Sequence, residues 1–170
     1  MLRRPAPALL ALALSLALSL AACDGATQEE QRVFEDRAFA TATGGFTRAD
    51  AGGAVLDEDA DDWRIGPAYQ GFVQTLQVPY PNPLPFRATA VYQVNVVTGV
   101  PGGLALYRLE SDGRLTLVGR PCEDATTSTI CTFTVQGSEV SPLGEDDLVR
   151  LVLLDGQSGV VSYGDVQPAG

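Results

Sequence analysis

Residues 88–97 alternate so regularly that one backbone conformation accounts for them. In an extended chain Val91, Gln93, Asn95 and Val97 fall on one side, and Tyr92, Val94 and Val96 on the other. That two-residue period marks a strand with one buried face. Shorter runs rich in β-branched and aromatic residues lie at Phe72–Val78, Leu104–Glu110, Leu115–Val118, Ile130–Val135, Leu148–Leu154 and Val160–Tyr163. Ser111-Asp112-Gly113 and Asp155-Gly156-Gln157-Ser158-Gly159 are turn signals that join neighbouring runs. Beyond the N-terminal apolar run, no window carries a convincing 3.6-residue apolar period, so the chain predicts strands.

About seven short strands across residues 69–166 predict an all-β chain folded as a single immunoglobulin/fibronectin-like β-sandwich. A small closed barrel is the alternative. Ahead of this domain, residues 33–68 read as an irregular acidic arm. It holds a weak hairpin where Phe46–Asp50 and Ala54–Leu56 flank an Ala-Gly-Gly turn. Residues 23–32 read as a polar tether and 167–170 as a tail. The segment Val78-Pro79-Tyr80-Pro81-Asn82-Pro83-Leu84-Pro85 must be extended or turned, because each proline fixes φ and biases the residue before it. A strand lead-in at a sheet edge suits it better than a peptide-recognition role.

The N-terminus has a different character. Arg3 and Arg4 precede an Ala/Leu run, Ala8–Leu20, interrupted only by Ser15 and Ser19. Small residues then lead to Cys23, which is the order of a secretory signal. The apolar run falls short of the ~20 residues a transmembrane helix needs. Leu20-Ala21-Ala22-Cys23 resembles the bacterial lipobox, in which the cysteine is acylated and becomes the first mature residue. The resemblance implies a signal peptide over residues 1–22, lipidation of Cys23, and export to the cell envelope with a membrane anchor in the inner or outer membrane. An ordinary cleaved signal with an incidental cysteine is the rival.

The chain carries a formal charge of −10, and removal of Arg3 and Arg4 takes it to −12. A negative surface repels phosphate backbones, so no nucleic-acid partner is expected. There is no His and no Lys; every basic residue is Arg. This removes the commonest general base, His-dependent nucleophiles, most zinc sites and Schiff-base chemistry. No enzymatic activity is expected. Any catalysis would rest on carboxylates, Tyr or an oxygen-ligated metal.

Cys122 and Cys131 are the only cysteines after Cys23, and in an exported chain they predict a disulfide that staples a loop. Asp57-Glu58-Asp59-Ala60-Asp61-Asp62 is the densest charge cluster. Asp57, Asp59 and Asp61 take positions 1, 3 and 5 of an EF-hand spacing and are the weak candidates for Ca²⁺. The match fails at position 6, where Asp62 replaces Gly, and at position 12, where Ala68 replaces Glu. A solvated acidic loop is the simpler reading. Trp63 and Tyr69, with Phe72, are weak candidates for an aromatic platform that binds carbohydrate or protein. A Trp that plugs the domain entrance is the commoner arrangement.

Tyr80-Pro81-Asn82-Pro83, followed by alternating strands, resembles the start of the C-terminal sorting domains of type IX secretion cargo in Bacteroidetes. Leu148–Leu154, Asp155–Gly159 and Val160–Val161 resemble the closing hairpin of that fold. The likeness covers roughly residues 79–166 and implies a small β-sandwich in an envelope setting. The family signature usually continues with Phe, whereas here Leu84-Pro85-Phe86 follows. The expectation is a lipid-anchored envelope protein whose β-sandwich has a structural or binding role, with an envelope protein or glycan as partner. The alternative is a carboxylate-based, Ca²⁺-dependent carbohydrate-binding or hydrolytic module, or a domain associated with type IX secretion.

Overall fold

A computed structural model describes residues 27–42, 44–140 and 147–169. Two antiparallel sheets pack face to face, as expected for an all-β sandwich. One holds three strands in the order β3 (Val73–Tyr80), β5 (Thr89–Val96) and β8 (Thr129–Gln136). The other holds four in the order β10 (Val160–Val166), β9 (Val149–Asp155), β6 (Leu104–Leu109) and β7 (Leu115–Leu117). Each of the seven runs read from the sequence corresponds to one of these strands. Two further pairs frame the sandwich. β1 (Arg48–Ala49) and β2 (Val55–Asp57) form a small antiparallel hairpin, and β4 (Leu84–Pro85) pairs in parallel with β11 (Pro168–Ala169).

The core follows directly from the alternation. Ala90, Tyr92, Val94 and Val96 of β5 point inward beside Cys131, Phe133 and Val135 of β8. They meet Leu104 and Leu106 of β6 and Leu151 and Leu153 of β9. β9 and β10 depart from the one-face rule. Val152, Leu154, Val160 and Tyr163 point away from this core and are still buried, in a second cluster with Phe34 and Ala38. Strands covered on both sides read as continuous apolar runs, and Leu151–Leu154 is such a run.

The cover on that second face is a helix, α1, over residues 27–38. The segment read as tether and irregular arm is therefore helical across the boundary between them. Its buried residues are Gln31, Phe34 and Ala38, at helical spacing. The Phe34 ring lies 4.8 Å from that of Tyr163. The Gln31 amide donates to Val160 O at 2.9 Å and accepts the Ala68 N–H at 3.0 Å. With only Phe34 and Ala38 as apolar contacts on the face, the sequence has no visible helical period, and packing on β9–β10 supplies the stability. At the other end, residues read as a tail contribute β11. A single turn of helix, α2 (Gly137–Val140), follows β8.

Cys122 and Cys131 form a disulfide with Cα atoms 5.7 Å apart. Cys131 belongs to β8, while the Cys122 backbone exchanges two hydrogen bonds with Leu104 of β6. The bond thus ties one sheet to the other. By loop-closure entropy, a crosslink over so short a loop contributes about 2–3 kcal/mol. Cys122→Ala with Cys131→Ala should lower the urea unfolding free energy by about that amount; an unchanged midpoint would refute the stapling role. Phe34→Ala should cost about 3 kcal/mol in the same assay if α1 is part of the cooperative fold. A cost below 0.5 kcal/mol, at the level of an ordinary surface substitution, would mean that α1 is dispensable.

Candidate functional site

Two regions carry chemistry beyond simple packing: a buried polar junction around Asn82, and the outer face of the three-stranded sheet. The junction starts from the Pro-rich segment. The Tyr80–Pro81 and Asn82–Pro83 peptide bonds are both cis, and Asn82 is buried between them. Its Nδ2 donates to Thr47 O at 2.7 Å and to Asp165 O at 3.0 Å, and its Oδ1 accepts the Gln167 N–H at 3.0 Å. Its backbone N–H and C=O pair with Ala49. One residue thus links β1, β10 and the lead into β11.

Asp62 joins the same junction. Its two carboxyl oxygens accept the N–H groups of Thr47 at 2.8 Å and Asp165 at 3.0 Å. The Asp165 carboxylate is held by Arg150, Nε at 2.5 Å and Nη2 at 2.9 Å. Arg150 also donates to Arg37 O at the end of α1 and lies over the Tyr163 ring. The guanidinium of Arg150 is thus bound to Asp165, while Asp62 is held by backbone N–H groups alone. Burial pushes the Asp62 carboxyl up to about 7, with the negative charges of Asp165 and Asp59 adding to the shift and the two N–H donors opposing it.

A perturbed carboxyl beside a second one is the kind of pair that acid–base chemistry uses. Here Asp62 is 8% and Asp165 3% exposed, so neither offers a face to a substrate. A surface depression of about 270 Å³ reaches Arg150, Glu110 and Asp147 but is lined by neither Asp62 nor Asp165. What the arrangement can do is hold the arm, the four-stranded sheet and α1 in one register.

The residues singled out in the sequence are placed nearby but differently. Asp57 ends β2 opposite Arg48, and Asp59 accepts the Asp61 N–H at 3.0 Å. Among the described residues no three His, Cys, Asp or Glu side chains converge as metal ligands, and Asp57, Asp59 and Asp61 are not brought together in such a group. Asp57 and Asp61 are exposed and Asp59 is half-buried. Trp63 is 3% exposed, with its indole 4.9 Å from the Tyr92 ring. It packs so closely on Gly164 that a Cβ there would come within 2.3 Å of the indole. That places Trp63 in the core and removes it from any exposed platform. Tyr69 is half-buried and donates its hydroxyl to Asp155 at 2.7 Å. Burial and that acceptor together raise its pKa well above the ordinary tyrosine range. Its polar end is engaged in the β9–β10 turn. Cys23 lies outside the described residues.

Sequence reasoning missed Asp62 as a distinct residue. The only available signal was its place directly before the lone Trp, where two successive buried side chains would have to turn inward together.

The second region is the outer face of β3, β5 and β8. None of these three eight-residue strands contains a charged residue. The register sets Gln74, Asn95 and Ile130 in one row and Gln77, Gln93 and Thr132 in the next. Gln93 donates to Thr132 across the strands at 3.1 Å. Leu76 and Ile130 stand exposed on the face, and Phe72 stands at its end just before β3. Comparison with protein-family models, curated proteins and solved structures returned no match.

The polar junction makes a pH prediction with a definite sign. The folded-state Asp62 carboxyl titrates above its ordinary value of 3.8, so the folded chain holds the extra proton between about pH 4 and 7. Stability from this group is therefore present below pH 4 and is lost as pH rises toward 7, by up to about 4 kcal/mol. Asp62→Asn keeps the size and does not titrate; its NH2 gives up one of the two accepted bonds, a cost that does not vary with pH. Urea unfolding of both proteins from pH 4 to 8 should show the variant gaining relative to the parent as pH rises. A pH-independent difference would contradict the assignment.

Proposed function

We propose that the chain is an exported, lipid-anchored protein of the cell envelope, acylated on Cys23. Its β-sandwich serves as a binding module with no catalytic role. The observation that carries the binding reading is the charge-free outer face of β3, β5 and β8 on a chain of formal charge −10. Surfaces without a task of this kind are normally kept charged for solubility. The acidic side chains that could serve acid–base chemistry or Ca²⁺ are either buried in the junction or scattered over exposed turns.

The anchor reading rests on Leu20-Ala21-Ala22-Cys23 and on the apolar run before it. Helix α1 is described from residue 27, and the four peptide units between Cys23 and that residue can span at most about 14 Å. Acylation at Cys23 would therefore hold the sandwich close to the membrane surface. The partners that fit this setting are an envelope protein or glycan in addition to the membrane itself. The likeness to type IX sorting domains supports the envelope setting. In this chain the Asn82 of that motif is buried in the junction.

The anchor can be tested by metabolic labelling with radioactive palmitate. The native protein should incorporate label and stay in the membrane pellet after a high-salt wash. Cys23→Ser should lose the label. A variant that remained labelled would overturn the acylation site.

A further inference from the structure

Resting on the reading that the outer face of β3, β5 and β8 is the binding surface, we propose that its ligand is a neutral, linear polysaccharide. Charge supports this first. An anionic polymer would meet a strongly acidic molecule and find no cation on this face to receive it. A cationic partner would have to strip water from its charges against a face with no carboxylate to pair them. An uncharged ligand escapes both costs.

The side-chain chemistry supports it second. Gln74, Gln93, Asn95 and Thr132 each both donate and accept, as sugar hydroxyls do, so hydrogen bonds can be exchanged in either sense along the rows. The Gln93–Thr132 bond holds two of these groups in place before any ligand arrives. The apolar C–H faces of sugar rings match Phe72 and Ile130, which are 46% and 58% exposed.

Shape supports it third. Three strands at about 4.8 Å spacing and eight residues at about 3.4 Å rise give a strip of about 14 by 27 Å, or roughly 400 Å². A standard protein interface needs about 800 Å² from each partner. A face-to-face dimer or a typical folded partner would therefore have to reach beyond the uncharged strands for part of its contact. The strip is long and narrow, which suits a polymer chain laid along it.

The test uses the full-length protein in mild detergent, run on native gels that contain hydroxyethyl cellulose, galactomannan or dextran, with alginate as the anionic comparison. At least one neutral polymer should retard the protein, and alginate should not. Phe72→Ser and, separately, Thr132→Glu should weaken that retardation at least tenfold in apparent Kd while leaving the melting temperature unchanged. Two exposed positions are used so that a folding defect in one leaves the other as the test. Retardation by none of the neutral polymers would overturn the proposal. So would retardation that survives both substitutions, or equal retardation by alginate. Size-exclusion chromatography with light scattering covers the second-copy outcome: a dimer dissolved by Ile130→Arg would replace the glycan as occupant. A photo-crosslinker placed at Thr132 in native envelopes separates the two levels of the argument. A crosslink to a protein would sink the glycan and keep the face, whereas no crosslink and no polymer binding would sink both.

Discussion

Strands β9 and β10 have apolar side chains on both faces, and removing both faces from water dictates where the remaining elements go. Leu151 and Leu153 close the sandwich against β5 and β8, while Val152, Leu154, Val160 and Tyr163 need a second cover. A fully buried Val or Leu side chain contributes about 1.5–3 kcal/mol over an exposed one, so leaving that second face wet would cost more than a typical domain can spare. Helix α1 supplies the cover through Phe34 and Ala38, and Gln31 bonds to the Val160 carbonyl at its margin. Residues 27–38 are thereby drawn into the domain.

The polar junction is the counterpart of this apolar constraint. Buried polar groups are tolerated when each finds a partner, and Asn82 does so with backbone from three directions. Asp165 is satisfied by Arg150, and Arg150 reaches across to the end of α1. Asp62 is the member whose charge goes unmatched, because the single guanidinium is already bound. Its elevated pKa follows from that shortage, together with its burial. The same side chain that fastens β10 to the arm is thus the one whose ionisation opposes folding.

Charge is divided unevenly between the two sheets. Arg108, Arg150, Asp155 and Asp165 all lie in strands of the four-stranded sheet, whereas the three-stranded sheet has none. On one side the charges are drawn into ion pairs, Arg108 with Glu110 and Arg150 with Asp165. On the other, hydroxyls and amides face solvent between a few exposed apolar side chains. A molecule arranged this way presents one surface that does not repel uncharged matter and does not compete for ions. The binding proposal grows from that asymmetry.

The seven principal strands were legible because alternation is a local property: neighbouring side chains on an extended chain point to opposite sides whatever surrounds them. The pairing of Cys122 with Cys131 could be read because they are the two cysteines that follow Cys23. Helix α1 could not, since Gln31 occupies a position that only its bonds to Val160 and Ala68 make compatible with burial. Nor could the burial of Asp62 be read from a run of acidic residues in which Asp57 and Asp61 stay exposed. Trp63 turned inward through a left-handed backbone, φ 58°, that its neighbours in the sequence do not announce. By itself the sequence determined the strand pattern and the signal-like N-terminus that ends at Cys23, because both are written in consecutive residues. The tertiary structure alone decided which carboxylate lost its water, which amide tied three segments together and which sheet face was left uncharged in solvent. Desolvation and pairing depend on groups far apart along the chain, and only folding brings those groups together.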